Sequence, residues 1–80
     1  MDTQELIVNR MKELRNKHGL KQSDVAEHLG VAQNSYSNYE NGIREIPLKY
    51  LIHLSRFYQV NLEYLLGLTD TLDPLPPIKK

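Results

Sequence analysis

The sequence contains no cysteine, which removes disulfides, thiolate metal sites and thiol nucleophiles together. It has no net charge either: ten Lys and Arg balance ten Asp and Glu. No strongly basic surface therefore advertises nucleic acid. No apolar run approaches the roughly 20 residues needed to span a bilayer. The opening residues, Met1-Asp2-Thr3-Gln4-Glu5, are acidic and lack the apolar stretch of a signal peptide. His18, His28 and His53 stand far apart in sequence, not at the short spacing of zinc ligands. No glycine-rich phosphate loop, HExxH pair or nucleophile elbow occurs. Ser35 or Ser37 beside a histidine is the only material for catalysis. The expectation is a soluble intracellular domain with no enzymatic activity, no cofactor, no metal, no membrane partner and no small-molecule ligand.

Eighty residues provide for one small domain, whose core must hold by packing alone. With 40% hydrophobic and 25% charged residues, the composition is that of an ordinary soluble folded domain. Apolar residues from Leu6 to Leu66 recur mostly at intervals of three and four, the mark of amphipathic helices. Ile7, Met11 and Leu14 form one stripe, stopped by Gly19. Val25, Ala26 and Leu29 form a second, stopped by Gly30. Val31, Tyr36 and Tyr39 or Glu40 suggest a third, ended by Asn41-Gly42. Leu48, Leu51, Leu54, Ser55 and Tyr58 form a fourth behind Pro47, which suits the first helical position. Leu62, Leu65 and Leu66 form the last, capped by Asn61 and stopped by Gly67. The spacing predicts an all-α chain of five short helices at roughly 4–18, 22–29, 33–40, 47–58 and 62–66. Asn-Gly also signals β-hairpins, but neither flank alternates with period two. The domain is expected over residues 1–67, and residues 68–80 form a tail in which Pro74, Pro76 and Pro77 forbid a helix. That tail is either mobile or docked through Leu72, Leu75 and Ile78.

The informative stretch runs from Gln22 to Asn41. Two short helices meet across Gly30, with small Ala26 four residues earlier, so that the second can cross the first steeply. Val31 then plugs the junction. This is the layout of a helix-turn-helix, whose second helix lies in the DNA major groove. With Tyr36 inward, Gln33, Asn34, Ser37 and Asn38 turn outward together, with Ser35 at their edge. All are short amides or hydroxyls, and none is charged. A merely solvated face would carry Lys and Glu, as the first helix does with Arg10, Lys12, Glu13 and Lys17. Amides place a donor beside an acceptor, which matches adenine N6 and N7. The plain alternative is a polar surface helix of accidental composition.

The ordered set Arg15, Gly19-Leu20, Gln22, Ala26, Leu29-Gly30-Val31, Tyr39-Glu40-Asn41-Gly42, Arg44-Glu45, Leu51 and Leu62-Glu63-Tyr64-Leu65-Leu66-Gly67 resembles the Cro/CI-type helix-turn-helix regulators, also called xenobiotic-response-element regulators. The resemblance covers about residues 6 to 67, with the helix-turn-helix at about 22–41. It implies a compact five-helix, lambda-repressor-like domain that binds double-stranded DNA as a small cytoplasmic regulator, a repressor above all, of prokaryotic or phage origin. It also implies a homodimer on a palindromic operator. Carried over position by position, Gln33, Asn34, Ser37 and Asn38 would read bases. Lys21, Gln22, Ser35, Asn41 and Arg44 would meet phosphates or the groove wall. Arg15 and Glu40 resemble an ion pair tying the first helix to the end of the third. Three departures stand out. Lys21 and Ala32 replace the usual Ser or Thr caps, at about 1 kcal/mol each. Lys21 also opposes the helix dipole, which a bound phosphate would reverse. Tyr36 replaces a smaller aliphatic residue and is expected to send its hydroxyl to solvent or backbone.

Lys21, Arg44 and Lys49 are the cations expected near the DNA side, so non-specific affinity should be modest and its salt dependence shallow. Tyr50, Ile52, Phe57, Tyr64 and Leu68 are more apolar residues than one small core readily buries. They form either a self-complementary dimer patch or further core and scattered surface. The rival function is an antitoxin or protein-interaction adaptor on the same fold. The neutral third helix favours that rival, and its lack of aromatic or aliphatic anchors opposes it.

Overall fold

The computed structural model describes residues 2–70. The segment 71–80, and with it the docking considered for Leu72, Leu75 and Ile78, lies outside the described residues. Five helices follow one another: α1 Thr3–Lys17, α2 Gln22–Leu29, α3 Gln33–Glu40, α4 Leu48–Tyr58 and α5 Leu62–Leu65. Among the described residues there is no strand. The fold is all-α, and Asn41-Gly42 closes a helix.

Local chemistry accounts for most helix ends. Asp2 caps α1, its Oδ1 accepting the Glu5 amide proton at 2.8 Å, and Asn61 caps α5 by accepting from the Tyr64 N–H at 2.7 Å. Pro47 sits one position earlier than expected. It is the N-cap of α4 rather than its first residue, with ψ of 146° and a carbonyl that accepts from Tyr50 and Leu51. A proline ring fixes φ but leaves ψ free, so sequence could not separate these two positions. All five helices terminate with the same pair of backbone bonds, as in Gly30 N–H to Glu27 carbonyl at 3.1 Å and Val31 N–H to Ala26 carbonyl at 3.0 Å. This is the Schellman arrangement, which needs a left-handed residue at the turn. Glycine fills it in four helices, and Gln59, with φ of 56°, fills it in α4.

At Gly30 (φ +72°) nothing lies within 4 Å of where a Cβ would stand, so the demand there is conformational alone. Gly67 (φ +75°) is doubly constrained, because a Cβ would come within 2.7 Å of the Leu6 Cβ. That contact seats the end of α5 against the start of α1.

The core gathers Ile7, Met11 and Leu14 of α1, Val25, Ala26 and Leu29 of α2, Tyr36 of α3, Leu51, Leu54 and Tyr58 of α4, Tyr64 and Leu65 of α5, and Ile46 from the loop before α4. Val31 and Leu20 pack against it from the turns. Leu48, placed on the apolar stripe of the fourth helix, is instead 57% exposed. It is the first residue of α4 and lies beyond the reach of the core. α2 packs mainly on α3, α1 touches both α3 and α5, and α4 closes against α5 and α2. α1 therefore supports the helix-turn-helix on one flank and the C-terminal helix on the other.

Candidate nucleic-acid interface

The inner side of α3 has two fully buried residues, Tyr36 and Glu40. A buried carboxylate must be paired to be tolerated, and Arg15 does so from α1. Arg15 Nε donates to Glu40 Oε1 at 3.1 Å and Oε2 at 2.9 Å, and Nη2 donates to Oε1 at 2.7 Å. The remaining arm of the guanidinium, Nη1, donates to the Leu20 carbonyl at 2.8 Å. Gln22 Nε2 donates to the same carboxylate at 3.2 Å. One buried group thus ties α1, the start of α2 and the end of α3 together. Burial pushes the Glu40 pKa up, but the bonds from Arg15 outweigh it and the net position is below the ordinary carboxylate value. Glu40 in turn raises the Arg15 guanidinium further.

Tyr36 is inward as expected, but its hydroxyl reaches neither solvent nor backbone: it is buried without a hydrogen bond. The ring fills the space between helices completely, which leaves its polar end inside. Burial first, then the nearby Glu40 charge, drives its pKa far upward. The same two causes push Tyr58 up to about 12.

On the outer side of α3 the residues singled out from sequence come together. Gln22, Gln33, Asn34, Ser37 and Asn38 line a single concavity of about 450 Å³. Gln33 and Asn34 are exposed, and Ser37 and Asn38 are half-buried, so none is absorbed into the core. Gln22, placed among the phosphate contacts, lies inside this concavity with one amide proton committed to Glu40. Ser35 is half-buried on α3 outside it. Asn41 caps the C-terminal end of α3, and its Nδ2 donates to Ser37 Oγ at 3.1 Å. The loop that follows folds back on Asn38, whose carbonyl accepts from Ile43 at 2.9 Å and Arg44 at 3.2 Å. The backbone of Arg44 is fixed in this way while its side chain stays exposed. Lys21 is exposed at the N-cap of α2 and supplies no side-chain cap. Asp24 partly replaces one, its Oδ2 accepting the Lys21 backbone N–H at 2.8 Å.

The five candidates for a dimer patch do not share one environment. Tyr64 is only 6% exposed and belongs to the core. Arg10 covers its ring at 4.1 Å, and its hydroxyl meets the Glu13 carboxylate at 3.3 Å. The correction has a clear cause: Arg10 also bonds Asp70 at 2.9 Å, and contacts spanning so much sequence leave no local pattern to read. Tyr50, Ile52 and Phe57 are half-buried, with Phe57 stacked on His28 at 3.9 Å. Leu68 is 69% exposed and Ile43 71%. Ile43 was not singled out from sequence, because an isolated apolar residue in a loop carries no periodic signal.

Among the described residues no group of three or more His, Cys, Asp or Glu is placed to hold a metal ion, and no helix is long and apolar enough to cross a membrane.

Comparison with known proteins agrees with this geometry. The helix-turn-helix family matches residues 11–65. The uncharacterized HTH-type transcriptional regulator YobD of Bacillus subtilis (strain 168) is 43% identical over 65 residues, covering 81% of this chain and 58% of the relative. The cryptic phage CTXphi transcriptional repressor RstR of Vibrio cholerae is 32% identical over 63 residues, covering 79% and 57%. The chain thus spans a little over half the length of these two relatives. A crystal structure of a transcriptional regulator from Listeria innocua superposes with a TM-score of 0.72 at 26% identity, covering 76% of this chain and 57% of that one. With the five-helix fold and the Gly30 junction in place, the chain belongs to the helix-turn-helix family.

Proposed function

We propose that this chain binds double-stranded DNA in a sequence-specific way and acts in the cytoplasm as a transcriptional regulator, most simply a repressor. α3 lies in the major groove, and a homodimer straddles a palindromic operator. The observation that carries this reading is the concavity formed by Gln22, Gln33, Asn34, Ser37 and Asn38. Its side chains are amides and a hydroxyl, able to meet base edges and poorly suited to anchor a protein partner. The names of the matched regulators point the same way.

In this reading Gln33, Asn34, Ser37 and Asn38 contact bases. Lys21, Ser35, Asn41 and Arg44 contact phosphates, with Gln22 between the two sets. Lys21, Arg44 and Lys49 are all exposed, but few cations accompany them, so affinity rests on base contacts and on engaging two half-sites. Tyr50, Ile52, Phe57 and Leu68 remain the surface proposed for the dimer, without Tyr64. Selection of bound sequences from random duplexes tests the whole reading. The expected result is a palindrome with half-sites about 34 Å apart, one turn of DNA. Absence of any enriched sequence at low salt overturns it.

A further inference from the structure

We infer that Asn41 is a positioning residue that fixes the Ser37 hydroxyl as a hydrogen-bond donor, so that Ser37 selects a base presenting an acceptor in the major groove. This rests on the DNA-reading role proposed above and adds a polarity to one of its contacts.

A serine hydroxyl by itself is a poor reader. It has one proton to give and two lone pairs to accept with, so it can satisfy either half of the donor–acceptor code. In this chain the choice is already made. Asn41 lies one turn beyond Ser37, and its Nδ2 donates to Ser37 Oγ at 3.1 Å. An amide nitrogen can only donate, so one lone pair of Oγ is occupied and the hydroxyl proton must point elsewhere.

The usual internal destination for such a proton is a carbonyl in the preceding turn of the helix. Ser55 on α4 takes that route, its Oγ donating to the Ile52 carbonyl at 2.8 Å. Ser37 makes no corresponding bond among the described residues; its side-chain partner is Asn41. It is also half-buried in the wall of the concavity. The bonding capacity that Ser37 turns toward a ligand in that concavity is therefore its O–H.

In the major groove guanine offers O6 and N7, adenine N7 and thymine O4 as acceptors, whereas cytosine offers the N4 donor. The hydroxyl held by Asn41 favours the first three over cytosine at the position it contacts. Asn41 thereby shapes sequence preference without touching a base. A second proton remains on its amide for a phosphate.

The test begins with the operator position whose preference disappears in Ser37→Ala. At that position the wild-type protein should prefer an acceptor-bearing base to cytosine by about two- to ten-fold, the range of one net hydrogen bond. In Asn41→Asp the carboxylate accepts the Ser37 proton and leaves Oγ as an acceptor only, so the preference should invert toward cytosine. Because the reading is a ratio at one position, the uniform weakening caused by the added negative charge cancels. Asn41→Leu removes the bond without adding charge and should flatten the ratio toward one. It should also have no further effect on that position in a Ser37→Ala background. If both Asn41 variants keep the wild-type ratio, the inference is overturned while sequence-specific binding stands. If the wild-type protein selects no sequence at all, the DNA-reading role falls and takes this inference with it.

Discussion

The polar residues of α1 and those of α3 serve different ends. On α1 they hold the monomer together: Asp2 caps the helix, Arg10 covers Tyr64 and reaches Asp70, and Arg15 neutralises the buried Glu40. On the outer face of α3, Gln33 to Asn38 includes no charged residue, and α3 has no side-chain N-cap. There the side-chain bond from Asn41 to Ser37 joins two groups that already belong to the site. Asn and Ser are also weaker helix formers than the Lys and Glu a solvated face would use. α3 therefore carries a composition that folding did not ask for, and α1 supplies the stability that permits it.

The sharpest way to break this division is to remove its hinge. Arg15→Met leaves Glu40, 1% exposed, without its counter-charge, at a cost of about 3–5 kcal/mol for an uncompensated buried charge. Denaturant titration should show that loss, and DNA binding should disappear with it because α3 loses its anchor. The pH dependence should change as well. Glu40 has a folded pKa below its ordinary value of 4.5, so its contribution is complete above that value and is lost as pH falls through the lower folded one. In Arg15→Met the depression should vanish, and acid should no longer be more harmful to the variant than neutral pH.

A second variant acts on the other side of the comparison. Asn34→Ala should leave the melting curve unchanged while removing about 1–3 kcal/mol of discrimination at one base position. If random and selected duplexes lose affinity equally, α3 is not a direct reader. Gly30→Ala should then fall between the two classes. With open space around the new methyl group, its cost is that of the left-handed backbone alone, roughly 1–2 kcal/mol. It should lower stability modestly and alter DNA affinity through the angle between α2 and α3.

The same division explains what could be read from sequence. The five helices, the glycine stops, the Asn61 cap and the inward Tyr36 were legible, because each rests on a few neighbouring residues with strong local preferences. The outward strip was legible because helical period alone places Gln33, Asn34, Ser37 and Asn38 together. What escaped was tertiary. The cluster of Arg10, Glu13, Tyr64 and Asp70 joins residues 51 and 60 positions apart. Gln22 was read as a phosphate ligand, and its bond to Glu40 emerges only once α2 and α3 are crossed. Gln59 adopts a backbone conformation that its identity does not announce. Even the missing cap at Lys21 was half supplied by Asp24, three residues on.

Lys21 offers the smallest expected effect and the most pointed one. It holds a positive charge at the positive end of α2, where a hydroxyl or carboxylate would stabilise the free helix. Lys21→Ser should therefore raise the stability of the unbound protein by about 1 kcal/mol, read from the midpoint of a denaturant curve. The same change removes a cation facing the proposed phosphates. Binding to selected and random DNA should weaken alike, and the slope of log affinity against log salt should fall by about one. A variant more stable alone yet weaker on every duplex would place Lys21 with α3, among residues whose worth appears only on DNA. A variant that binds as before would move the phosphate contacts elsewhere and leave Lys21 as an ordinary surface cation.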